Sequence, residues 1–190
     1  MKKIGILGGT FIPPHIGHLI IANEVLDALN LDEIRFMPNF VPPHKEKSQE
    51  VSAINRLAML EHALSDHPSF SLEKIEIERK GTSYTYDTMK LLIEKEPDAT
   101  FYFIIGADMI EYLPKWYRID ELHELVHFVG VNRPGYNVES DYPIIMVDVP
   151  QMFISSSTIR RKLRTGRTVR YLIPDSVVNY IKGNDLYESK

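Results

Sequence analysis

The chain has 190 residues and a mass of 21.9 kDa, which predicts a single domain, 1–190, large enough to bury its own core. It contains no cysteine, which excludes disulfides, thiolate nucleophiles, iron–sulfur clusters and cysteine-ligated zinc. The 22 Lys and Arg residues against 26 Asp and Glu give a net charge of −4, so a surface-wide attraction to nucleic acid is not expected. Any site for an anion must therefore be local.

The predicted elements begin with a short buried strand over 4–7 that ends in two glycines. Helical spacing of apolar residues over 19–29 and a second strand over 33–37 follow, and a long polar loop covers 39–52. The remaining pattern predicts, in chain order, a helix at 56–64, a strand at 72–79, a helix at 86–95, strands at 100–105, 128–131 and 144–147, and helices at 157–163 and 175–181. This alternation predicts an α/β fold with a doubly wound parallel sheet and a helical C-terminal part over about 156–190.

Ligands of such sheets bind beyond the carboxyl ends of the strands, where the strand order reverses. The candidate site residues are therefore those that follow the strands, at 8–18, 39–45, 106–108, 132–134 and 150–160. No run approaches the roughly 18 apolar residues that a membrane span needs, and the N-terminal apolar run is too short for a signal peptide. We expect a cytoplasmic protein.

The segment GGTFIPPHIGH at 8–18 is the first candidate site. Its glycines let backbone amides approach an anion, and His15 and His18 share one face of a helix whose N-terminus attracts negative charge. Two imidazoles there could stabilise charge that develops on a phosphate. The alternatives are structural histidines, a metal site or a plain glycine turn, and the segment matches neither HExxH nor a P-loop nor GxGxxG. Because the glycines, the histidines and the helix start all follow the first strand, phosphate binding is the favoured interpretation of this segment.

A second candidate is ISSSTIR at 154–160. Serines before an amphipathic run are typical N-caps, and they leave amides and hydroxyls at a helix N-terminus with Arg160 one turn later. The segment could thus hold a second anion. Taken alone, it is better explained as a capped helix with a solvated basic face, because more basic residues follow. They are Arg161, Lys162, Arg164, Arg167 and Arg170.

Three shorter segments are weaker candidates. Asp108, just past the strand that ends at Gly106, could accept hydrogen bonds from ribose hydroxyls or serve as a helix N-cap. Trp116, the only tryptophan, could stack on a flat or cationic ring or anchor the core. Lys45, on a loop that two prolines stiffen and that Asn39 precedes, could reach a phosphate or be solvated.

Together, GGTF, PPHIGH and ISSSTIR resemble the (H/T)xGH nucleotidyltransferase superfamily, and further stretches are similar to the bacterial nicotinate mononucleotide adenylyltransferases within it. These stretches are PPHK at 42–45, SYTYDT at 83–88, FIIGADM at 103–109, LPKWY at 113–117 and GNDLYES at 183–189. The family usually reads GGTFDP, and this chain has Ile12 in place of the aspartate. The resemblance implies a Rossmann-like sheet and transfer of the adenylyl group of ATP to nicotinate mononucleotide, which gives deamido-NAD and pyrophosphate in NAD biosynthesis.

The resemblance also implies a role for each site residue. The implied catalytic residues are His15, His18 and Arg160. The implied ATP-binding residues are Gly8, Gly9, Thr10, Phe11, Gly106, Asp108, Arg133, Ser156 and Ser157. The implied mononucleotide-binding residues are Asn39, Lys45, Thr85, Trp116 and Tyr117. Mg²⁺ is implied as a bridge between phosphates with few direct protein ligands, and a homodimer is a family-level expectation.

Three alternatives remain open from the sequence. The chain could be a sister transferase that uses phosphopantetheine, nicotinamide mononucleotide or a sugar phosphate, although SYTYDT and KWY argue against this. It could be a non-catalytic nucleotide-binding regulator, an alternative that Ile12 supports. It could bind nucleic acid through 160–170, although the net charge opposes this. A class I aminoacyl-tRNA synthetase also carries HIGH, but this chain is too short for one and lacks KMSKS.

Overall fold

A parallel sheet forms the centre of the computed structural model, which describes residues 1–41, 51–131 and 139–187. Its strands are β1 (Lys2–Gly9), β2 (Glu33–Pro38), β3 (Phe70–Leu72), β4 (Ala99–Gly106), β5 (His127–Val131) and β6 (Ile144–Val147). They lie in the order β3–β2–β1–β4–β5–β6, and every neighbouring pair is parallel. The order reverses between β1 and β4, which confirms the predicted doubly wound, Rossmann-like sheet.

Helices cover both faces of the sheet. They are α1 (Ile16–Ala28), α2 (Ala53–Leu64), α3 (Ile75–Arg79), α4 (Thr85–Lys95), α5 (Ala107–Ile110), α6 (Ile119–Leu125), α7 (Ser156–Arg164) and α8 (Asp175–Gly183), with a 3-10 turn at Leu113–Lys115. Buried residues of α1 and α2 pack on one face, and those of α3 to α6 pack on the other. Within the described ranges, no helix combines the length and the apolar character that crossing a membrane requires.

The two central strands divide their side chains between the two faces. Ile6 of β1 and Phe103 of β4 pack in the cluster under α3 to α6. Leu7 and Ile104, one position later in each strand, pack in the cluster under α1 and α2. This period of two follows from the strand geometry and explains why both strands read as continuous apolar runs.

A third apolar cluster fixes the C-terminal helices. Met59 of α2 packs with Ile159 of α7 and with Val177 and Ile181 of α8. Ile12, the position that departs from GGTFDP, also belongs to this cluster and is 5% exposed. The cluster thus docks α7 beside the carboxyl end of β1, and the side chain at position 12 is part of the core.

The predicted strand at 72–79 is wrong, because a short β3 is followed by helix α3. Alternating isoleucine and charged residues imitate the period of a strand in this segment. At the helix start, the Glu73 carboxylate accepts a hydrogen bond from the Ile75 N–H at 3.0 Å. Lys80 and Gly81 then end the helix with φ angles of 61° and 81°. Helices α5 and α6 were not predicted either.

Candidate active site

A cleft with two lobes opens at the carboxyl ends of the strands, where the strand order reverses. The polar lobe has a volume of about 420 Å³ and lies between the β1–α1 turn and the N-terminus of α7. The aromatic lobe has a volume of about 710 Å³ and extends past the end of β4 to residues 115–117. Thr10, His18, Asn39 and Ser156 line both lobes, so the cleft is continuous.

Two stacked histidine rings lie where the lobes meet. His15 is the N-cap of α1 and has extended backbone, since the prolines before it keep the chain out of helix until Ile16. Its N–H donates to Nδ1 of His18 at 3.1 Å, and the two ring centroids are 3.6 Å apart. A neutral imidazole that accepts through Nδ1 carries its hydrogen on Nε2. His18 therefore brings an N–H donor to the cleft.

Residues 11 and 17 fix the positions of these rings. Phe11 has a left-handed φ of 51°, and its ring meets the His18 ring edge-on at 4.9 Å. At Gly17, a Cβ atom would lie 3.0 Å from Nδ1 of His15, so glycine lets the His15 ring lie against the first turn of α1. The stacked arrangement of the two histidines therefore depends on Gly17 and on the left-handed backbone of Phe11, as well as on the three-residue spacing of the histidines.

The N-terminus of α7 faces the β1–α1 turn across the polar lobe. Ser155 caps the helix by accepting the Thr158 N–H at 3.2 Å. The Ser156 hydroxyl donates to the Pro13 carbonyl at 3.0 Å, which joins α7 to the turn. Arg160 donates through Nη1 to the Ile12 carbonyl at 2.8 Å. These bonds bring two helix N-termini together at one place, and such termini favour anions.

The arginines of α7 and the segment after it separate into two groups. Arg160 lines the polar lobe and also donates to the Ser157 hydroxyl at 3.3 Å. The other arginines are exposed: Arg161, Arg164, Arg167 and Arg170. The capped helix with a solvated basic face is therefore confirmed. One of its arginines, Arg160, also lines the cleft, and its role toward an anion stays a prediction.

Arg56, which is not among the residues predicted from the sequence, also lines the polar lobe. Its side chain is 6% exposed, with Nε donating to the Thr10 carbonyl at 2.9 Å and Nη2 donating to Oδ1 of Asn39 at 3.3 Å. Burial lowers its pKa from the usual value, although the charges of Tyr187 and Glu76 oppose that shift. The guanidinium thus holds the β1–α1 turn and the segment after β2 together.

A signal for Arg56 was present in the sequence. The other buried residues of α2 are Met59, Leu60, Ala63 and Leu64. Arg56 precedes them by three, four, seven and eight positions, so it occupies the apolar stripe of the helix. A charged residue on such a stripe is buried only when it has partners, and this rule would have indicated a functional or structural role.

Asp108 belongs to the first turn of α5, whose N-cap is Gly106. The alternative that Asp108 is itself an N-cap is therefore wrong. A Cβ atom on Gly106 would lie 2.5 Å from Oδ1 of Asp108, so a side chain at position 106 would displace the carboxylate from this position at the end of β4. Both residues line the aromatic lobe.

Trp116 both anchors the core and lines the cleft. Its ring meets those of Phe103 and Phe128 edge-on, with centroids 6.0 and 6.1 Å away. It also lines the aromatic lobe with its neighbour Tyr117. The Tyr117 ring lies 4.8 Å from the Tyr84 ring, which joins this segment to the start of α4.

Every predicted site residue that the structure describes lines one or both lobes. These residues are Gly8, Gly9, Thr10, Phe11, His15, His18, Asn39, Thr85, Gly106, Asp108, Trp116, Tyr117, Ser156, Ser157 and Arg160. The predictions for Lys45 and Arg133 lie outside the described residues. The described ranges contain no group of three or more His, Asp or Glu side chains placed to hold a metal ion.

Comparisons with known proteins show which family the chain resembles along its whole length. The family model described as cytidylyltransferase-like matches residues 6–162. A "probable nicotinate-nucleotide adenylyltransferase" of Geobacillus thermodenitrificans is 59% identical over 190 residues, which cover all of this chain and 88% of the relative. The nicotinate-nucleotide adenylyltransferase of Bacillus subtilis is 54% identical over 189 residues, which cover both chains fully.

A solved structure shows the same fold. The Plasmodium falciparum nicotinic acid mononucleotide adenylyltransferase complexed with NaAD matches with a TM-score of 0.81 at 22% identity, over 98% of each chain. The family model covers most of the chain, and the bacterial relatives match it from end to end. The chain therefore belongs to the cytidylyltransferase-like family and, within it, to the nicotinate-nucleotide adenylyltransferases.

Proposed function

We propose that this protein transfers the adenylyl group of ATP to the phosphate of nicotinate mononucleotide, which gives deamido-NAD and pyrophosphate in NAD biosynthesis. One observation carries the proposal: a single cleft joins the polar lobe, at two helix N-termini, to the aromatic lobe, with His18 at the junction. The names of relatives that are 54% and 59% identical support the same reaction.

The chemistry needs neither a general base nor a covalent enzyme intermediate. The second pKa of a phosphate monoester is about 6, so the mononucleotide phosphate is largely dianionic at pH 7 and is already a nucleophile. One of its oxygens forms a bond to the α-phosphorus of ATP, while the bond to the bridging oxygen breaks and its electron pair leaves with pyrophosphate. The protein has to align the two substrates and stabilise the developing charge.

The polar lobe supplies groups for the triphosphate. In the proposal, Nε2 of His18 donates to the α-phosphate and to the departing oxygen, and His15 supports the triphosphate. Ser156, Ser157 and Arg160 hold the β- and γ-phosphates at the N-terminus of α7, where the helix dipole also favours negative charge.

The adenosine part of ATP is assigned to the ends of β1 and β4. Gly8, Gly9, Thr10 and Phe11 offer backbone contacts after β1, and Gly106 and Asp108 hold the ribose after β4. Arg133 is proposed near the adenine.

The aromatic lobe would receive the mononucleotide. Asn39 and Lys45 face its phosphate, and Trp116 stacks on the pyridine ring. The backbone amides of Thr85 and Tyr117 hold the carboxylate, and the contact between Tyr84 and Tyr117 brings their two segments together. Amide donors satisfy a carboxylate but not the NH₂ of a carboxamide, which favours the acid over the amide.

Mg²⁺ fits this cleft as an ion carried by the substrate. The described residues that line the polar lobe include no carboxylate, so phosphate oxygens rather than a protein cage would hold the ion. When bound, Mg²⁺ neutralises part of the phosphate charge. We further propose a cytoplasmic homodimer without a nucleic-acid partner, which light scattering and heparin chromatography would test.

Pyrophosphate release tests the proposed reaction. The assay uses ATP and Mg²⁺ and compares nicotinate mononucleotide, nicotinamide mononucleotide and phosphopantetheine as acceptors. We expect kcat/KM for the nicotinate compound to exceed that of the nicotinamide compound at least about tenfold, from at least one lost hydrogen bond. Preference for another acceptor would assign the chain to a sister activity, and ATP binding without pyrophosphate release would indicate a regulator.

A further inference from the structure

Glu76 is a buried carboxylate that the proposed reaction does not use. It lies on α3, is 3% exposed, and lines the aromatic lobe next to Ser83, Tyr84 and Thr85. The pattern of a strand at 72–79 would have placed it among exposed charged residues. The helix instead buries Ile75 and Glu76 together against the sheet and α4.

The carboxylate of Glu76 holds both sides of the start of α4. The Thr88 hydroxyl donates to Oε1 of Glu76 at 2.8 Å, and the Ser83 hydroxyl lies near enough to this carboxyl group to lower its pKa. Ser83 precedes Thr85, and Thr88 lies one turn after it. Arg79 donates to the Thr88 hydroxyl at 3.2 Å and thereby orients it. The peptide of Thr85 is thus held between two groups that depend on Glu76.

Ser83 extends this network to the segment after β2. Its Oγ accepts the Phe40 N–H at 2.9 Å, and its own N–H donates to the Val41 carbonyl at 2.8 Å. Phe40 follows Asn39, whose side-chain oxygen accepts a hydrogen bond from Arg56. Two buried charged residues therefore act on residues 39–41: Arg56 by a direct hydrogen bond to Asn39, and Glu76 through Ser83.

The pKa of Glu76 reflects a balance between its burial and its polar partners. Burial raises the pKa of Glu76, whereas the hydrogen bonds from Ser83 and Thr88 and the charges of Arg79 and Arg56 oppose that rise. A buried carboxylate carries a desolvation cost that hydrogen bonds and nearby charges must offset. Leucine or methionine would fill this position without that cost, but neither could accept bonds from two hydroxyl groups.

We propose that Glu76 is a positioning residue for the mononucleotide: through Ser83 and Thr88 it fixes the Thr85 peptide and the segment 39–41. This inference rests on the proposed function, because it assigns the nicotinate carboxylate to Thr85 and the mononucleotide phosphate to Asn39. Glu76 sets the affinity for the acceptor and leaves the chemical step to the polar lobe.

The test compares Glu76→Ala and Glu76→Gln with Glu78→Ala, an exposed carboxylate on the same helix. Loss of the hydrogen bonds in Glu76→Ala should raise KM for nicotinate mononucleotide about tenfold, with KM for ATP and kcat within about threefold of the parent. Glu76→Gln keeps one carbonyl acceptor and should recover most of the loss. Glu78→Ala should match the parent protein.

A second measurement does not depend on the substrate. Amide hydrogen exchange of the substrate-free protein should be faster at Phe40 and Ser83 in Glu76→Ala and unchanged in α1. If Glu76→Ala does not fold, Ser83→Ala removes the Ser83 link and leaves the Glu76 carboxyl group and its bond to Thr88 in place. It should raise KM for the mononucleotide in the same direction, by a smaller factor.

Equal rises in KM for both substrates, a fall in kcat alone, or unchanged exchange at Phe40 and Ser83 would overturn the positioning role. If the parent protein prefers another acceptor, the proposed function fails. The exchange result then still decides whether Glu76 holds the network, and the KM difference is measured with that acceptor.

Discussion

The two lobes of the cleft are built in different ways. The polar lobe comes mainly from two contiguous motifs, 8–18 and 154–160, which meet through the bond from Ser156 to Pro13. The aromatic lobe is assembled from separate segments at the ends of β1, β2 and β4, at the start of α4, and at 115–117. Anion binding can be encoded by a glycine turn and a helix N-terminus, whereas ring recognition requires distant residues to be packed together.

The largest effect is expected from His18→Ala in the polar lobe. Loss of a donor that acts mainly in the transition state should lower kcat by about 10²- to 10³-fold and change ATP affinity much less. Steady-state kinetics with a separate ATP-binding measurement would show this. His62→Ala, a change of an exposed histidine on α2, is the control. A rise in KM with unchanged kcat would contradict the assigned role.

Arg160→Ala should have the next largest effect. Arg160 and Arg161 are neighbours on α7, but only Arg160 lines the polar lobe. Loss of charge-assisted hydrogen bonds should lower kcat/KM for ATP about 10- to 100-fold, while Arg161→Ala should stay within about twofold. Equal effects of the two substitutions would contradict a specific role for Arg160 in the polar lobe. They would indicate that the positive charge of the whole α7 face attracts ATP.

Trp116→Ala tests the aromatic lobe. Stacking of a ring on an aromatic side chain contributes about 1–3 kcal/mol, so KM for the mononucleotide should rise about 5- to 150-fold while KM for ATP changes little. Tyr112→Ala, an exposed aromatic change in the same segment, is the control. If both KM values rise together, Trp116 is a core anchor and the two lobes do not divide the substrates.

The smallest effect is expected far from both lobes. Near the amino ends of the strands, Arg35 donates to Glu96 at 2.9 Å, and this hydrogen bond is the main cause that lowers the pKa of Glu96. Glu96→Gln should lower the free energy of unfolding at pH 7 by under about 1 kcal/mol, because a carboxyl that is 35% exposed is screened by solvent.

The decrease in unfolding free energy caused by Glu96→Gln should depend on pH. A carboxyl with a lowered pKa stabilises the fold above its ordinary pKa of about 4.3, and this contribution is lost as the pH falls through the folded value. The difference in unfolding free energy between parent and Glu96→Gln should therefore shrink below about pH 4, with kcat/KM unchanged at pH 7. A difference that grows in acid would contradict the pairing with Arg35.

The sequence predicted the sheet because most of its strands are apolar runs that stand between turn signals. It indicated the polar lobe because each of the two motifs that form most of that lobe is contiguous in the chain. It failed at 72–79, where alternation of isoleucine and charge imitates a strand while Glu73, Lys80 and Gly81 set the ends of a helix. That error concealed Glu76. Arg56 was missed because its partners, Thr10 and Asn39, are distant in sequence and come together only in the folded chain.

The most direct test is a crystal structure of the protein with deamido-NAD bound. The two-lobe arrangement predicts the pyrophosphate link of the product within hydrogen-bond distance of Nε2 of His18, and the pyridine ring stacked on Trp116. A pyridine ring placed in the polar lobe, or a product pyrophosphate away from His18, would contradict it.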